Sequence, residues 1–438
     1  MIESLVGFAV LLFLIFARVP LAVAMGVVGV AGFSYIQTHI FENPRGMDAA
    51  LSMVSQVAFD TSLSYGLSVV PLFILMGNLI TESGISAQLF RASNAFLGHM
   101  RGGLALATVV SCGAFSAVCG SSLATAATMS KVAMPSMRKY NYADGLASGS
   151  IAAGGTLGIL IPPSVILVVY GLLTETSIGE LFMAGLIPGL LGIVLYMVAI
   201  AVTVRMDPSL GPKGEKSTWK ERLIAFRDVW AIGLLFVIVM GGIYLGIFTP
   251  TEAAGIGASG AFFLALLKRK LTFKGILGCL IGAVRTTSML FALVIGAELF
   301  SNFINLAGMP GQLRDMALEF SVNPFLVIVC ILAIYMLLGC VLESMSMILL
   351  TVPVFYPVVQ ALGFDLVWFG IVVVVVTEIS LITPPVGMNV FVLKTVMPDV
   401  PLKTIFKGVA PFWVVDIIRL ILVTSIPALA LFLPSLVG

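Results

Sequence analysis

Charge is what this chain has least of: 10% of its 438 residues are Asp, Glu, Lys or Arg, where a soluble domain carries roughly a quarter. That shortage excludes an ordinary soluble fold, because too few charged side chains remain to cover its surface. Histidine is scarcer still. His39 and His99 are the only two, both at loop or interface positions, so neither joins a serine or metal constellation. The HExxH and GxxxxGK[ST] patterns are missing, which removes zinc-protease chemistry and ATP hydrolysis by this chain. The sequence does not read as an enzyme. Five cysteines (Cys112, Cys119, Cys279, Cys330, Cys340) lie in apolar segments without CxxC spacing, and read as small buried hydrophobes. The first apolar run lacks the basic start and small-residue cleavage site of a secretory leader. A net charge of +2 spread over short loops offers no surface for nucleic acid.

What is abundant is apolar sequence: 60% hydrophobic residues and a mean hydropathy of +1.14. Runs near the roughly 20 residues that cross a bilayer fall at 64–82, 181–204, 228–247, 251–268, 286–304 and 405–434. Two more, 143–172 and 366–397, each contain a proline pair, Pro162-Pro163 and Pro384-Pro385. A proline pair breaks a helix, since neither residue donates a backbone hydrogen bond and each restricts its predecessor. In lipid, broken backbone survives only where protein buries it or where it lines a polar cavity. The stretches 102–139 and 324–361 are too long for one crossing and are interrupted mid-way, at Gly120-Ser121-Ser122 and between Gly339 and Ser346. Each is expected to be a re-entrant hairpin. Segments 85–98 and 309–319 read as short interfacial helices, and Arg18-Val19-Pro20 divides residues 1–37 into two short spans in preference to one kinked span.

The halves repeat. Pro162 and Pro384 stand 222 positions apart, as do Pro135 and Pro357. Each half crosses three times, an odd number, and two linking spans preserve sidedness, so the second copy must be inverted. The expected fold is an all-α polytopic membrane protein, an inverted-repeat alternating-access transporter with two re-entrant helical hairpins and two discontinuous helices. Its parts are N-terminal spans and an outer loop (1–60), a first repeat (61–206), a cytoplasmic loop with linking spans (207–285) and a second repeat (286–438). Charge supports this sidedness independently: the loop 205–227 holds Arg205, Lys213, Lys216, Lys220, Arg222 and Arg227, marking it as cytoplasmic. A multi-pass membrane protein, in contact with membrane lipid, is the expectation.

Three phrases, Gly246-Ile247-Phe248-Thr249-Pro250-Thr251-Glu252-Ala253-Ala254, Leu157-Gly158-Ile159-Leu160-Ile161-Pro162-Pro163-Ser164 and Ile382-Thr383-Pro384-Pro385-Val386-Gly387, resemble the large membrane subunit of tripartite ATP-independent periplasmic (TRAP) transporters. The resemblance runs in order and spacing over essentially the whole chain. It implies a sodium-coupled elevator importing organic acids, with a small four-span membrane subunit and a soluble periplasmic substrate-binding protein as partners. Two alternatives stay open: a self-sufficient sodium/dicarboxylate symporter or antiporter, and a membrane scaffold or sensor.

Candidate sites follow from the breaks. A Na+ ion takes hard oxygen donors, and a hairpin tip opposite a broken helix offers hydroxyls and free carbonyls. In the first half the candidates are Ser121, Ser122, Gly158 and Ile161; in the second, Gly339, Ser344, Ser380, Thr383 and Pro384. The bland reading is that small residues merely let helices approach. For substrate, the candidates are Ser122, Ser164, Glu343, Glu378 and Asn389. Ser164 and Asn389 stand near the starts of helices whose free N–H groups suit a carboxylate, with capping as the competing role. Glu343 and Glu378 are ionisable groups at membrane depth, functional by default, unless they are structural. Thr249-Pro250-Thr251-Glu252 reads as a capping box heading a linking span.

Overall fold

The computed structural model describes residues 2–268, 271–319 and 323–437; among these no strand occurs. α1 (Ile2–Phe16) and α2 (Leu21–His39) pack on each other, so two helices form here. The turn between them uses Arg18 in the left-handed region (φ 65°) and Pro20, which precedes α2. α3 (Gly46–Leu63) stands where the sequence predicts an outer loop. Its Asp48, Ser52, Gln56 and Asp60 recur every four residues, a polar stripe that hides the helix from a search for apolar runs. α3 meets α4 (Val69–Glu82) at a bend of 56°, and α5 (Ile85–Leu97) follows.

The first hairpin is α6 (Gly103–Cys119) and α7 (Ser122–Lys139), turned at Gly120, whose φ of 61° suits glycine. The first broken helix is α8 (Asp144–Thr156), a 3-10 turn at Leu157–Ile159, and α9 (Val165–Thr174). α10 (Ile178–Met206), α11 (Trp219–Tyr244) and α12 (Pro250–Leu267) lead to the second half. α11 and α12 both start on complete capping boxes. In α12, Thr249 N donates to Glu252 Oε2 at 2.8 Å and Glu252 N donates to Thr249 Oγ1 at 3.3 Å, as the sequence predicts. Within α12, Gly255-Ile256-Gly257-Ala258-Ser259-Gly260 has dinucleotide-fingerprint spacing, but it lies mid-helix with Gly257 against Met76 and Gly260 against Leu235. That setting cannot cradle a pyrophosphate, which needs a strand-to-helix turn.

α13 (Phe273–Leu306) has 34 residues where the apolar run predicts a span over 286–304. Lys274 and Arg285 disguise its first turns, and at 1.5 Å per residue it extends about 50 Å, well past the hydrocarbon. α14 (Met309–Glu319) precedes the second hairpin, α15 (Pro324–Gly339) and α16 (Ser344–Ala361). α17 (Leu366–Ser380) and α18 (Met388–Val396) form the second broken helix. α19 (Leu402–Ser425) is shorter than its apolar run, because Pro427 interrupts it before α20 (Ala428–Leu431).

The repeat survives in the boundaries: α7 starts at Ser122 and ends at Lys139, and α16 starts at Ser344 and ends at Ala361, both shifted by 222. Packing is reciprocal as well. α7 lies on α18 as α16 lies on α9, and α8 lies on α19 as α10 lies on α17. A two-fold relation between the halves requires this pairing. α8 and α19 touch backbone to backbone: a Cβ on Gly408 would stand 1.8 Å from Gly145 O. At the C-terminal end of α7, Arg138 bonds Asp399 and, at 3.2 Å, Asp144. The guanidinium holds the Asp399 carboxyl below the usual carboxylate range. These side chains are exposed, so the link orients more than it stabilises.

Candidate functional site

Each hairpin tip presses on the break of its own half. In the first, a Cβ on Gly158 would lie 2.9 Å from Ser121 O, and one on Gly120 would lie 3.1 Å from Pro163 O. Only glycine allows the tip to reach the 3-10 turn. In the second, a Cβ on Gly339 would lie 2.1 Å from Ser380 Oγ, and Cys340 Sγ lies 3.5 Å from Pro384 O. Gly158 and Ser380 are repeat mates, 222 apart. The closest contact is therefore made by a missing side chain in one half and a hydroxyl in the other.

Both tips border one cavity of about 330 Å³. Ser121 and Ser122 line it from the first hairpin, and Glu343 and Ser344 from the second. The starts of α7 and α16 therefore converge there, bringing the positive ends of two helix dipoles to one space. Ser121 caps α7, its Oγ accepting from Ala124 N at 3.4 Å. Glu343 caps α16, Oε2 accepting from Ser346 N at 3.4 Å. A hydroxyl at one tip thus answers a carboxylate at the other. The remaining polar lining comes from Asn78 and Thr81 of α4 and Thr286 of α13. Sequence reasoning missed these three, although Asn78 is a polar interruption of an apolar span and could have been flagged on that ground.

Asn389, Ser164, Ile161, Thr383 and Ser380 do not line this cavity. Ser122 donates to Asn389 Oδ1 at 2.9 Å, and Asn389 Nδ2 donates to Ala152 O at 3.0 Å. The two serve as a clamp joining the first tip to α18. Ser164 is fully buried, capping α9 through Leu167 N at 3.3 Å and donating to Ile159 O at 2.5 Å. The Ile161 side chain packs against Gly189, leaving its carbonyl as its only polar contribution. Thr383 Oγ1 donates to Ile379 O at 2.6 Å and accepts from Trp413 Nε1 at 3.0 Å. Ser380 Oγ donates to Thr377 O at 2.7 Å. The breaks differ in exposure: Pro162 and Pro163 are buried, whereas Pro384 and Pro385 are exposed.

Glu378 belongs to a separate group. It is 0% exposed and accepts from Arg419 Nη2 at 2.5 Å, the same nitrogen lying 2.9 Å from Asp416 Oδ1. Tyr196 donates to Asp416 Oδ2 at 2.6 Å and stands 3.1 Å from Thr156 Oγ1. Thr156 and Glu378 are repeat mates, so one polar chain joins equivalent positions before the two breaks. Glu378 is thus paired with Arg419 and does not line the cavity. Asp416 and Arg419, three residues apart in an apolar run, were missed; ionisable groups at that depth are the signal.

Among the described residues no three His, Cys, Asp or Glu side chains cluster to hold a metal. A cation at the tips would depend on carbonyls, hydroxyls and Glu343, a donor set that suits a weakly held hard ion. No lysine or arginine lines the cavity. An anion there would meet hydroxyls, amides and helix starts.

Residues 8–429 match the family model described as "Tripartite ATP-independent periplasmic transporter, DctM component". A C4-dicarboxylate TRAP transporter large permease protein of Pseudomonas aeruginosa is 37% identical over 382 residues, covering 87% of this chain and 88% of that protein. A sialic acid TRAP transporter large permease protein of Vibrio cholerae is 34% identical over 439 residues, covering 100% and 99%. An isethionate TRAP transporter permease protein DctMQ of Oleidesulfovibrio alaskensis is 31% identical, over 94% of this chain and 64% of that one. Among solved structures, the YdaH transporter of Alcanivorax borkumensis superposes with a TM-score of 0.63 at 13% identity, over 87% of this chain and 89% of that one. MtrF of Neisseria gonorrhoeae does so at 0.56 and 13%, over 88% and 85%. These two share the fold alone.

Proposed function

Since this chain belongs to the DctM-component family of tripartite ATP-independent periplasmic transporters, as a multi-pass large permease of the inner membrane, we propose that it imports an organic acid driven by sodium. The observation that carries this reading is the convergence of both hairpin tips, and of two helix starts, on one cavity without basic residues. Its volume of about 330 Å³ suits a small solute. A substrate carboxylate would take N–H groups and hydroxyls at the start of α7. Glu343 at the other tip would repel that carboxylate unless a cation sat beside it, which supports cation coupling on the second side. Sodium at Ser121–Gly158 and at Ser344–Ser380 would fasten each tip to its broken helix. The hairpins and broken helices would then move together as an elevator against α3, α4 and α13. A periplasmic binding protein would deliver the acid, and a small four-span membrane subunit would complete the stationary part. The printed names of relatives suggest C4-dicarboxylates and sialic acids as first substrates to try.

The test is uptake into proteoliposomes holding this chain, the small subunit and the binding protein, without ATP. Uptake of labelled dicarboxylate or sialic acid is expected under an inward sodium gradient and is expected to fail in choline. Uptake that followed a proton gradient and ignored sodium would reject the coupling. Full uptake by this chain alone would favour the self-sufficient symporter.

Gly158→Ala tests the tip itself. The added methyl meets backbone, so the tip must shift. Uptake is expected to fall by about tenfold or more, with the protein still present in the membrane. Wild-type uptake by this variant would remove the Ser121–Gly158 contact from the mechanism.

A further inference from the structure

A second polar cavity system lies further along α13, nearer its C-terminal end. Thr286 and Leu290 line the hairpin cavity, while Val294 and Glu298 line a cavity of about 190 Å³ with Asp60, Thr61 and Ser64. Thr286 to Glu298 is about 18 Å along the helix at 1.5 Å per residue. The opposite wall is α9, through Val169, Leu172 and Leu173. A larger groove of about 610 Å³ adjoins it, and the polar stripe of α3 (Ser52, Gln56, Asp60) faces Glu298 and Asn302 there. Asp60 and Glu298 border both spaces. Neither carboxylate joins an ion pair among the described residues. Thr61 is 3% exposed and lines the smaller cavity with Glu298, its hydroxyl having no hydrogen-bond partner of ordinary geometry.

We propose that Asp60, Glu298 and the Thr61 hydroxyl form a sodium-binding station at the outer end of the path between α3, α13 and α9. Two carboxylates without a counter-charge, in a cleft walled by apolar helices, focus a negative potential and concentrate small cations. The donors are carboxylate and hydroxyl oxygens, with amide oxygens of Gln56 and Asn302 nearby, which is hard-cation chemistry. An acid substrate passing this point is repelled until the charge is neutralised. The station therefore imposes an order, cation before anion, on entry from outside. This rests on the sodium-coupled reading, and it adds a site distinct from the hairpin tips.

The test uses Asp60→Asn and Glu298→Gln in the full chain with its partner subunits. Half-saturating external sodium for uptake is expected to rise about threefold to fivefold in each, while the rate at saturating sodium stays unchanged. With the purified chain in nanodiscs and no substrate, sodium-dependent thermal stabilisation is expected to move to higher sodium by the same factor. Unchanged sodium dependence, or a lower rate at saturation, overturns the station; so does stabilisation by millimolar calcium that sodium cannot reproduce. Asp60 is exposed, so its variant remains informative even where Glu298→Gln folds poorly. A wild-type protein indifferent to sodium would sink the transport reading itself, whereas sodium-dependent wild type with unaffected variants sinks the station alone.

Discussion

Arg419→Met is expected to abolish recoverable folded protein. Arg419 is the one cation of a fully buried group that also holds Glu378 and Asp416. Removing it leaves two carboxylates facing each other away from water, at a cost of about 3–5 kcal/mol, against a total stability of about 5–15 kcal/mol for a typical domain. Gly192 marks how tightly the guanidinium is held: a Cβ there would stand 2.2 Å from Arg419 Nη1. Arg419→Lys is expected to rescue only in part, since both acids are held by Nη2 and the shorter lysine stem sets its ammonium short of that position. The combination Arg419→Met, Glu378→Gln and Asp416→Asn is expected to recover most of the loss, because no charge is then left unpaired. The readout is the monodisperse fraction and unfolding midpoint in detergent. An Arg419→Met protein with an unchanged midpoint would mean that the acids are not ionised in the folded state.

Gly408→Ala is expected to cost about 3 kcal/mol, the upper range for overpacking, and Gly408→Leu to prevent assembly. The physical reason is that α8 and α19 meet through backbone. The Gly408 Cβ would lie 1.8 Å from Gly145 O, and a Cβ on Gly149 would lie 2.2 Å from Gly408 O. No rotamer relieves a clash with a carbonyl. Gly145→Ala supplies the control, since its Cβ meets nothing closer than Thr404 O at 3.5 Å. It is expected to be neutral or slightly stabilising, because alanine favours the helix by about 0.5–1 kcal/mol over glycine. Thermal unfolding of the two single variants decides. Equal destabilisation would mean that helix flexibility, and not this contact, is what the glycines provide.

The parts of the architecture readable in the sequence were those set by backbone chemistry. Pro162-Pro163 and Pro384-Pro385 forbid continuous helices wherever they sit, and Gly120 marks a turn by itself. Thr249 with Glu252 caps a helix through four residues, with no help from elsewhere. Polar helices resisted such reading. α3 was hidden by its Asp48–Ser52–Gln56–Asp60 stripe, and the first turns of α13 by Lys274 and Arg285, because apolarity was the criterion and these segments fail it.

At the site, the sequence determined that two breaks and two small-residue tips exist and repeat at a spacing of 222. Tertiary structure decided which groups share a space. It put Glu343 with Ser121 and Asn78 at one cavity and sent Glu378 to Arg419. It also turned Asn389 from a free donor into a clamp on Ser122. Covalent restrictions on φ and missing N–H groups act within a few residues, so they can be read along the chain. Pairing of charges and hydroxyls depends on which helix faces bury each other, and that is settled only when the whole bundle closes.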